Sequence, residues 1–226
     1  MSKGLGQFLQ SSLGKKFVMA LSGLLLVGFL LMHLLGNLTL YGGSDGAKFI
    51  KYATSLHDLG PLMVVAEAML VLLFGIHVYY ALRLIRENRA ARPLPYAARK
   101  TLGQSTLASR TMPITGLIVL GFLVGHLLHL RFREGLFAPH ADQLHAYVVD
   151  RDSGLAAPLF GAFYLLGSLA VGLHVSHGFR SLFQSLGLNH PLLNRIAGRL
   201  AVGLSILIGL GFASFPVIAL FVWRNR

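Results

Sequence analysis

Five stretches of this 226-residue chain are each long and apolar enough to cross a lipid bilayer, and no other feature constrains the fold as much. A hydrocarbon core about 30 Å thick needs about 20 helical residues at 1.5 Å each. The stretches run from Phe17 to Tyr41, with no formally charged residue; from Pro61 to Leu82, with one acid, Glu67; from Met112 to Leu130; from Ala157 to Phe179; and from Leu200 to Trp223. Lipid offers no partners to backbone N–H and C=O groups, so runs of this length must be helices. We therefore expect an all-α membrane protein, a single five-helix transmembrane bundle over residues 1–226. Composition agrees, since 12% of the residues are charged against about 25% in a soluble domain. The first run is too long for the apolar part of a signal peptide, and no small-residue cleavage site follows it.

The charges that remain are lopsided, 20 Lys and Arg against 8 Asp and Glu. In a soluble protein that excess suggests nucleic acid. Here it is spread between apolar runs, and the retention of basic residues on the cytoplasmic side explains it without a nucleic-acid partner. Lys3, Lys15, Lys16, Arg83, Arg86, Arg89, Arg92, Arg99, Lys100, Arg110, Arg180, Arg195 and Arg199 lie on one side, 13 in all. Lys48, Lys51, Arg131, Arg133, Arg151, Arg224 and Arg226, 7 in all, lie on the other. This predicts a cytoplasmic N-terminus and an outer C-terminus; the bacterial cytoplasmic (inner) membrane is the expected location. The acids follow the same division, with Glu87 alone inside and Asp45, Asp58, Glu134, Asp142, Asp150 and Asp152 outside.

The connections are short. Gly42 to Gly46 is a turn cluster, Ala47 to Leu56 reads as a short interfacial helix, and Arg92-Pro93-Leu94-Pro95 breaks any continuation of the second span. Arg131 to Ala156 is long enough to cap the outer face, but no connection is large enough to be a soluble catalytic domain. The chain has no Cys, which excludes disulfides, cysteine zinc sites and iron–sulfur ligation within it.

Ten His in so apolar a chain need an account. An ionisable side chain inside a span is costly and marks function by default, and each of the first four spans has one: His33, His77, His126 with His129, and His174 with His177. His33 lies 17 residues after Lys16, His77 16 after Pro61, His126 15 after Thr111 and His174 16 after Pro158. Consecutive spans run in opposite directions. The residues therefore sort into an outer pair, His33 with His126, and an inner pair, His77 with His174. Facing imidazoles at one depth are what bis-histidine haem ligation requires, and roughly 9–12 Å from each His to the near end of its helix leaves room for two haems. Against this stands the ordinary membrane His that hydrogen-bonds a neighbouring helix. A proton-relaying transporter is the reading of another class; it calls for broken helices or paired acids at mid-membrane, and Pro216 is the one such feature.

Arg83 and Arg180 lie six residues beyond the inner His, and Arg131 and Arg133 five and seven beyond His126. They are placed either to pair haem propionates or simply to flank a span. The His-x-x-His pairs put His129 and His177 on the faces of His126 and His174. With no acid at that depth a di-histidine metal site is discounted. Lying nearer the interface, His129 and His177 are left for water or for a propionate.

Four stretches in order carry a resemblance: MALSGLLLVGFLLMHLLGNL within Lys16 to Leu38; Glu67 to Pro93, with His77 and NRAARP; SRTMPITG from Ser109, leading to HLLHLRF; and GLHVSHGFRSLFQSLGLNH from Gly172 to His190. With these the chain resembles the membrane-anchor cytochrome b subunit of succinate dehydrogenases and fumarate reductases (complex II), in the single-chain, five-helix, two-haem form. The resemblance implies a complex in which a flavoprotein with covalent FAD interconverts succinate and fumarate and an iron–sulfur subunit relays electrons. This chain would then pass electrons through two haems b to a quinone, typically menaquinone. It implies that His77 and His174 hold the haem proximal to the iron–sulfur subunit, and His33 and His126 the distal one. The succinate site would belong to a partner subunit docked on the basic cytoplasmic face. The oligomeric state of the complex is left open, a higher oligomer included. Glu67, six residues into the second span from its outer end with His57 and Asp58 just outside, is a candidate for proton transfer at a quinone. The competing role is a carboxyl hydrogen-bonded between helices. Some fumarate reductases of this type carry a glutamate two residues before the fourth-span His; here that position is Gly172, which favours succinate oxidation. The cytochrome b of a membrane hydrogenase or formate dehydrogenase is the rival within electron transfer.

Overall fold

The computed structural model describes residues 2–42, 46–90, 107–133 and 140–223. Helix α1 spans Ser2–Gln10, and α2 spans Ser12–Asn37 with a tighter turn over Leu38–Tyr41. Then follow α3 (Ala47–His57), α4 (Pro61–Ala90) and α5 (Leu107–His126), the last continued by a π-helical turn over Leu127–Arg131. Helices α6 (Ala141–Val149), α7 (Pro158–Ser185) and α8 (Pro191–Ile218) complete the order, with a second π-helical turn over Ala219–Trp223. No strand occurs among the described residues. Five segments, Ser12–Tyr41, Pro61–Ala90, Thr111–Arg131, Pro158–Ser185 and Pro191–Phe221, are long and apolar enough to cross a membrane. The chain is thus an all-helical, multi-pass membrane protein.

Local chemistry sets the helix ends. The Ser11 hydroxyl accepts from the Gly14 N–H at 3.0 Å and caps α2. Pro158 and Pro191 open α7 and α8, where a missing N–H is no loss. Between them Gly187, at φ +79°, makes a left-handed turn that a side chain would strain. The interfacial helix expected from Ala47 is present as α3.

At one end of the bundle the helices outrun the apolar stretches. α2 starts at Ser12 rather than Phe17, α4 runs to Ala90 rather than Leu82, α5 starts at Leu107 rather than Met112, α7 runs to Ser185 rather than Phe179, and α8 starts at Pro191 rather than Leu200. At the other end, expectation and structure agree to within one residue. The difference has a physical cause: bilayer thickness limits the apolar run, while Lys and Arg are good helix formers whose stems lie along apolar surface with the charge in water. All the overruns fall on the basic side. The break expected at Arg92-Pro93-Leu94-Pro95 and most of the Gly42–Gly46 turn lie outside the described residues.

α2 lies between α4 and α7, and α5 lies against α7. The order around the bundle is therefore α4, α2, α7, α5. α2 and α5 face across one diagonal, α4 and α7 across the other. α4 and α5 share no extensive interface, and α8 sits outside the four, against α7 and α2. At the end opposite the basic one α3 packs on α6, closing over a core of Leu34, Leu40, Phe49, Val148, Leu155, Tyr164 and Phe215. Residues 140–156 of the connection thus act as the expected cap. Asp150 Oδ1 organises it by accepting from the Ser153 hydroxyl at 2.8 Å and from the Asp152 amide at 3.0 Å. These bonds, the Ser153 hydroxyl first, hold the Asp150 carboxyl below its usual pKa.

Two kinds of force hold the long helices. α7 and α8 meet backbone to backbone through Gly172, Ser205 and Gly209, and the Ser205 hydroxyl donates to the Gly172 carbonyl at 2.7 Å. α4, by contrast, buries a single residue, Leu84, among those described. Polar links tie it down at three depths: Glu87 to Lys15 at 2.5 Å, His77 to Ser22 at 3.2 Å, and Glu67 to Arg131 at 2.9 Å. A Cβ at position 172 would lie 2.9 Å from the Gly209 Cα and from the Ser205 oxygen. Gly172→Ala is therefore expected to cost about 1–3 kcal/mol, read as a lower Tm of the detergent-purified protein. Ser205→Ala should cost only about 0.6 kcal/mol. An unchanged Tm for Gly172→Ala would refute the close approach.

Candidate functional site

The diagonals of the bundle bring the intramembrane His together. His77 on α4 and His174 on α7 have ring centres 6.5 Å apart with planes at 75°. His33 on α2 and His126 on α5 have centres 6.0 Å apart with planes at 83°. Rings joined by an N–H···N bond of about 2.9 Å have centres about 5 Å apart. Both pairs are wider than that and meet edge to face, at separations ordinary for packed rings, and no hydrogen bond links the rings of either pair among the described residues.

The inner pair is oriented by hydroxyls. Ser22 Oγ lies 3.2 Å from His77 Nδ1, and Thr115 Oγ1 lies 3.2 Å from His174 Nδ1. Each hydroxyl also donates its only proton to a carbonyl one turn back, Met19 at 3.0 Å and Met112 at 3.1 Å. Its oxygen is therefore the acceptor toward the imidazole, which assigns the ring proton to Nδ1 and the lone pair to Nε2. Gly23 and Gly116, next in sequence, let the helices approach: a Cβ there would lie 3.2 and 3.3 Å from Cε1 of His77 and His174.

The outer pair is set among rings. His33 stacks on Phe29 at 5.3 Å with Phe212 at 5.6 Å, and His126 lies 6.0 Å from Phe122 and 5.8 Å from Tyr164. His126 Nδ1 is buried without a hydrogen-bond partner. Leaving such an atom unmatched costs about 1–3 kcal/mol.

Ser22 and Thr115 escaped the reading of the sequence, yet the signal was there. SGLLLVGFLLMH, Ser22 to His33, and TGLIVLGFLVGH, Thr115 to His126, share Gly, Leu, Gly, Phe, Leu and His in register. The repeat continues in the partner helices, where Gly75, His77, Val78 and Arg83 match Gly172, His174, Val175 and Arg180. α2 with α4, and α5 with α7, are two copies of one helix pair. The hydroxyl of the first helix orients the His of the second within each copy, and equivalent His meet between copies.

The remaining expected residues fall elsewhere. His129 has both nitrogens satisfied by protein, Nε2 donating to the Ser153 carbonyl at 2.6 Å and Nδ1 accepting from Tyr164 at 2.8 Å; it also stacks on Phe160 at 4.3 Å. This corrects the expectation that water or a propionate would satisfy it. The π-helical turn that begins at Leu127 supplies the extra rotation. Glu67 makes a two-pronged pair with Arg131, at 3.0 and 2.9 Å, between α4 and the end of α5. Arg83 donates to Glu87 at 3.2 Å and to Tyr79 at 3.3 Å. Arg180 lies with Arg195 and Arg199 of α8, and His177 is half-buried on α7.

Two facing imidazoles per level are the donor set that a haem, which brings its other ligands in its macrocycle, would need. The half-buried rings and the open seam between α4 and α5 fit such a group. Ser22 is level with the inner pair and lies 11 residues from His33, so the two levels are about 16 Å apart. No protein-family model, curated protein or solved structure matches this chain. The double variant Ser22→Ala, Thr115→Val should weaken binding at the His77–His174 level roughly 10- to 100-fold and leave the other level unchanged, as measured by haem titration of the purified chain. Ser22→Thr with Thr115→Ser should restore it. Equal loss at both levels would mean general damage and would refute the positioning role.

Proposed function

We propose that this chain is the membrane-anchor cytochrome b subunit of a succinate:quinone oxidoreductase, carrying electrons between an iron–sulfur partner and a membrane quinone, with menaquinone the expected species. The observation that carries the reading is the pairing of four imidazoles at two depths across the two diagonals. His77 and His174 would hold the proximal haem b, and His33 and His126 the distal one. When bound, each haem supplies one-electron transfer.

The chain's own residues would do the rest. Ser22 and Thr115 hold the inner imidazoles with Nε2 free; Phe29, Phe122 and Phe212 keep water from the outer pair. The helix overruns that carry Lys16, Arg83, Arg86 and Arg89 would form a cytoplasmic collar on which the iron–sulfur and flavoprotein subunits dock, with FAD and the clusters in those partners. Arg83, His177 and Arg131 are on the helices that flank the pairs, as propionate contacts require. Glu67, tied to Arg131 at the outer end of α4, would serve proton transfer at the quinone. Gly172, pressed on Gly209, has no room for a carboxylate side chain, which supports the succinate-oxidising direction.

The test is a reduced-minus-oxidised spectrum with a haem assay on the purified protein, expected to give two haems b per chain, together with co-purification of a flavoprotein that oxidises succinate. His77→Ala should remove one haem and His33→Ala the other. Glu67→Gln should keep both haems and lower quinone turnover. A colourless protein would overturn the reading in favour of a transporter, and haem without a succinate-oxidising partner would favour another membrane oxidoreductase.

A further inference from the structure

At the basic end of the bundle, Arg180 of α7 and Arg195 and Arg199 of α8 line an open concavity of about 450 Å³, with Asn194, Gly198 and Val202 completing its wall. The three guanidinium groups are exposed, and no carboxylate among the described residues lies within ion-pair distance of them. Nearby Lys15 and Arg83 differ in sharing Glu87. Gly198 makes the hollow, since a Cβ there would meet nothing within 4 Å.

Depth identifies the anion. Arg180 directly follows the apolar run that ends at Phe179, and Arg199 directly precedes the one that starts at Leu200. The arginines therefore sit where hydrocarbon gives way to headgroups. From each a stripe of exposed apolar residues descends along the same helix face. Leu173, Leu169 and Leu166 continue from Arg180 on α7, and Val202, Ile206 and Leu210 continue from Arg199 on α8. A cationic hollow above two apolar stripes has the form of a phosphate headgroup with its acyl chains, whereas a free anion would use only the upper part. A protein partner would have no use for the stripes, which lie at hydrocarbon depth.

We propose that this hollow between the α7 and α8 ends is a binding site for an anionic phospholipid, favouring a headgroup with two phosphates over one. The three arginines hold the phosphates, and the paired stripes hold the chains. The site is separate from the His pairs and stands whether or not they carry haem.

The experiment is native mass spectrometry of the full chain reconstituted in nanodiscs of neutral lipid containing a fifth of either cardiolipin or phosphatidylglycerol. Retention of at least one anionic lipid per chain is expected, with cardiolipin held more tightly. Each Arg→Gln change at 180, 195 or 199 should weaken retention roughly fivefold, and Gly198→Leu should weaken it by filling the hollow without changing charge. Retention that is unaffected by all four variants would overturn the proposal. So would full competition by millimolar inorganic phosphate, which marks a free-anion site. A third overturning result is loss of partner-subunit binding in the Arg variants with lipid retention intact, which marks a protein contact.

Discussion

Hydrogen-bond partners are scarce inside a membrane, and most of what is specific in this bundle follows from that scarcity. Serine and threonine hydroxyls on the helix faces are used twice or turned to a neighbouring backbone. Ser22 and Thr115 join a carbonyl to an imidazole, Ser205 reaches Gly172, and Ser168 reaches Tyr164 at 2.6 Å. Such bonds are individually modest, about 0.6 kcal/mol on average, so their value lies mainly in fixing geometry. Against that background the unmatched Nδ1 of His126 stands out, at the place where a second imidazole waits 6.0 Å away.

The same scarcity explains why the helices are joined unevenly. Apolar burial is no driving force between helices surrounded by lipid, so α7 and α8 associate by close backbone approach at Gly172 and Gly209. α4 has no such seam and is tethered by polar links at its two ends and near its middle. α4 and α5 meet through the Glu67–Arg131 pair at one end and share no extensive interface along their length. A bundle packed everywhere like α7 and α8 would have no space between its imidazoles.

Two copies of one helix pair give this arrangement an internal symmetry. Because His33 and His126 are equivalent, as are His77 and His174, a group placed between either pair sees the same residue on both sides. Departures from the symmetry are informative. Met32 corresponds to Gly125, and Gly36 to His129, so the second copy alone gains the His129 link to Tyr164 and Ser153. The second copy also packs α8 along α7, which turns Arg180 toward Arg195 and Arg199, while its counterpart Arg83 stays on Glu87.

The order of the chain alone determined the five spans, the short helix from Ala47, the two depths of His and the one-sided basic charge, because hydrophobic length and helical rise are local quantities. It did not reveal how far the helices run past the bilayer, since charged residues extend a helix as readily as apolar ones. Nor did it reveal which hydroxyls serve which imidazoles, although the 12-residue repeat marks them. Only the tertiary structure decided that His77 meets Ser22, that Glu67 meets Arg131, that His129 is spoken for, and that Arg180 faces α8. Those pairings join residues 15 to 64 positions apart, and no local pattern can specify which faces of two separate helices will touch.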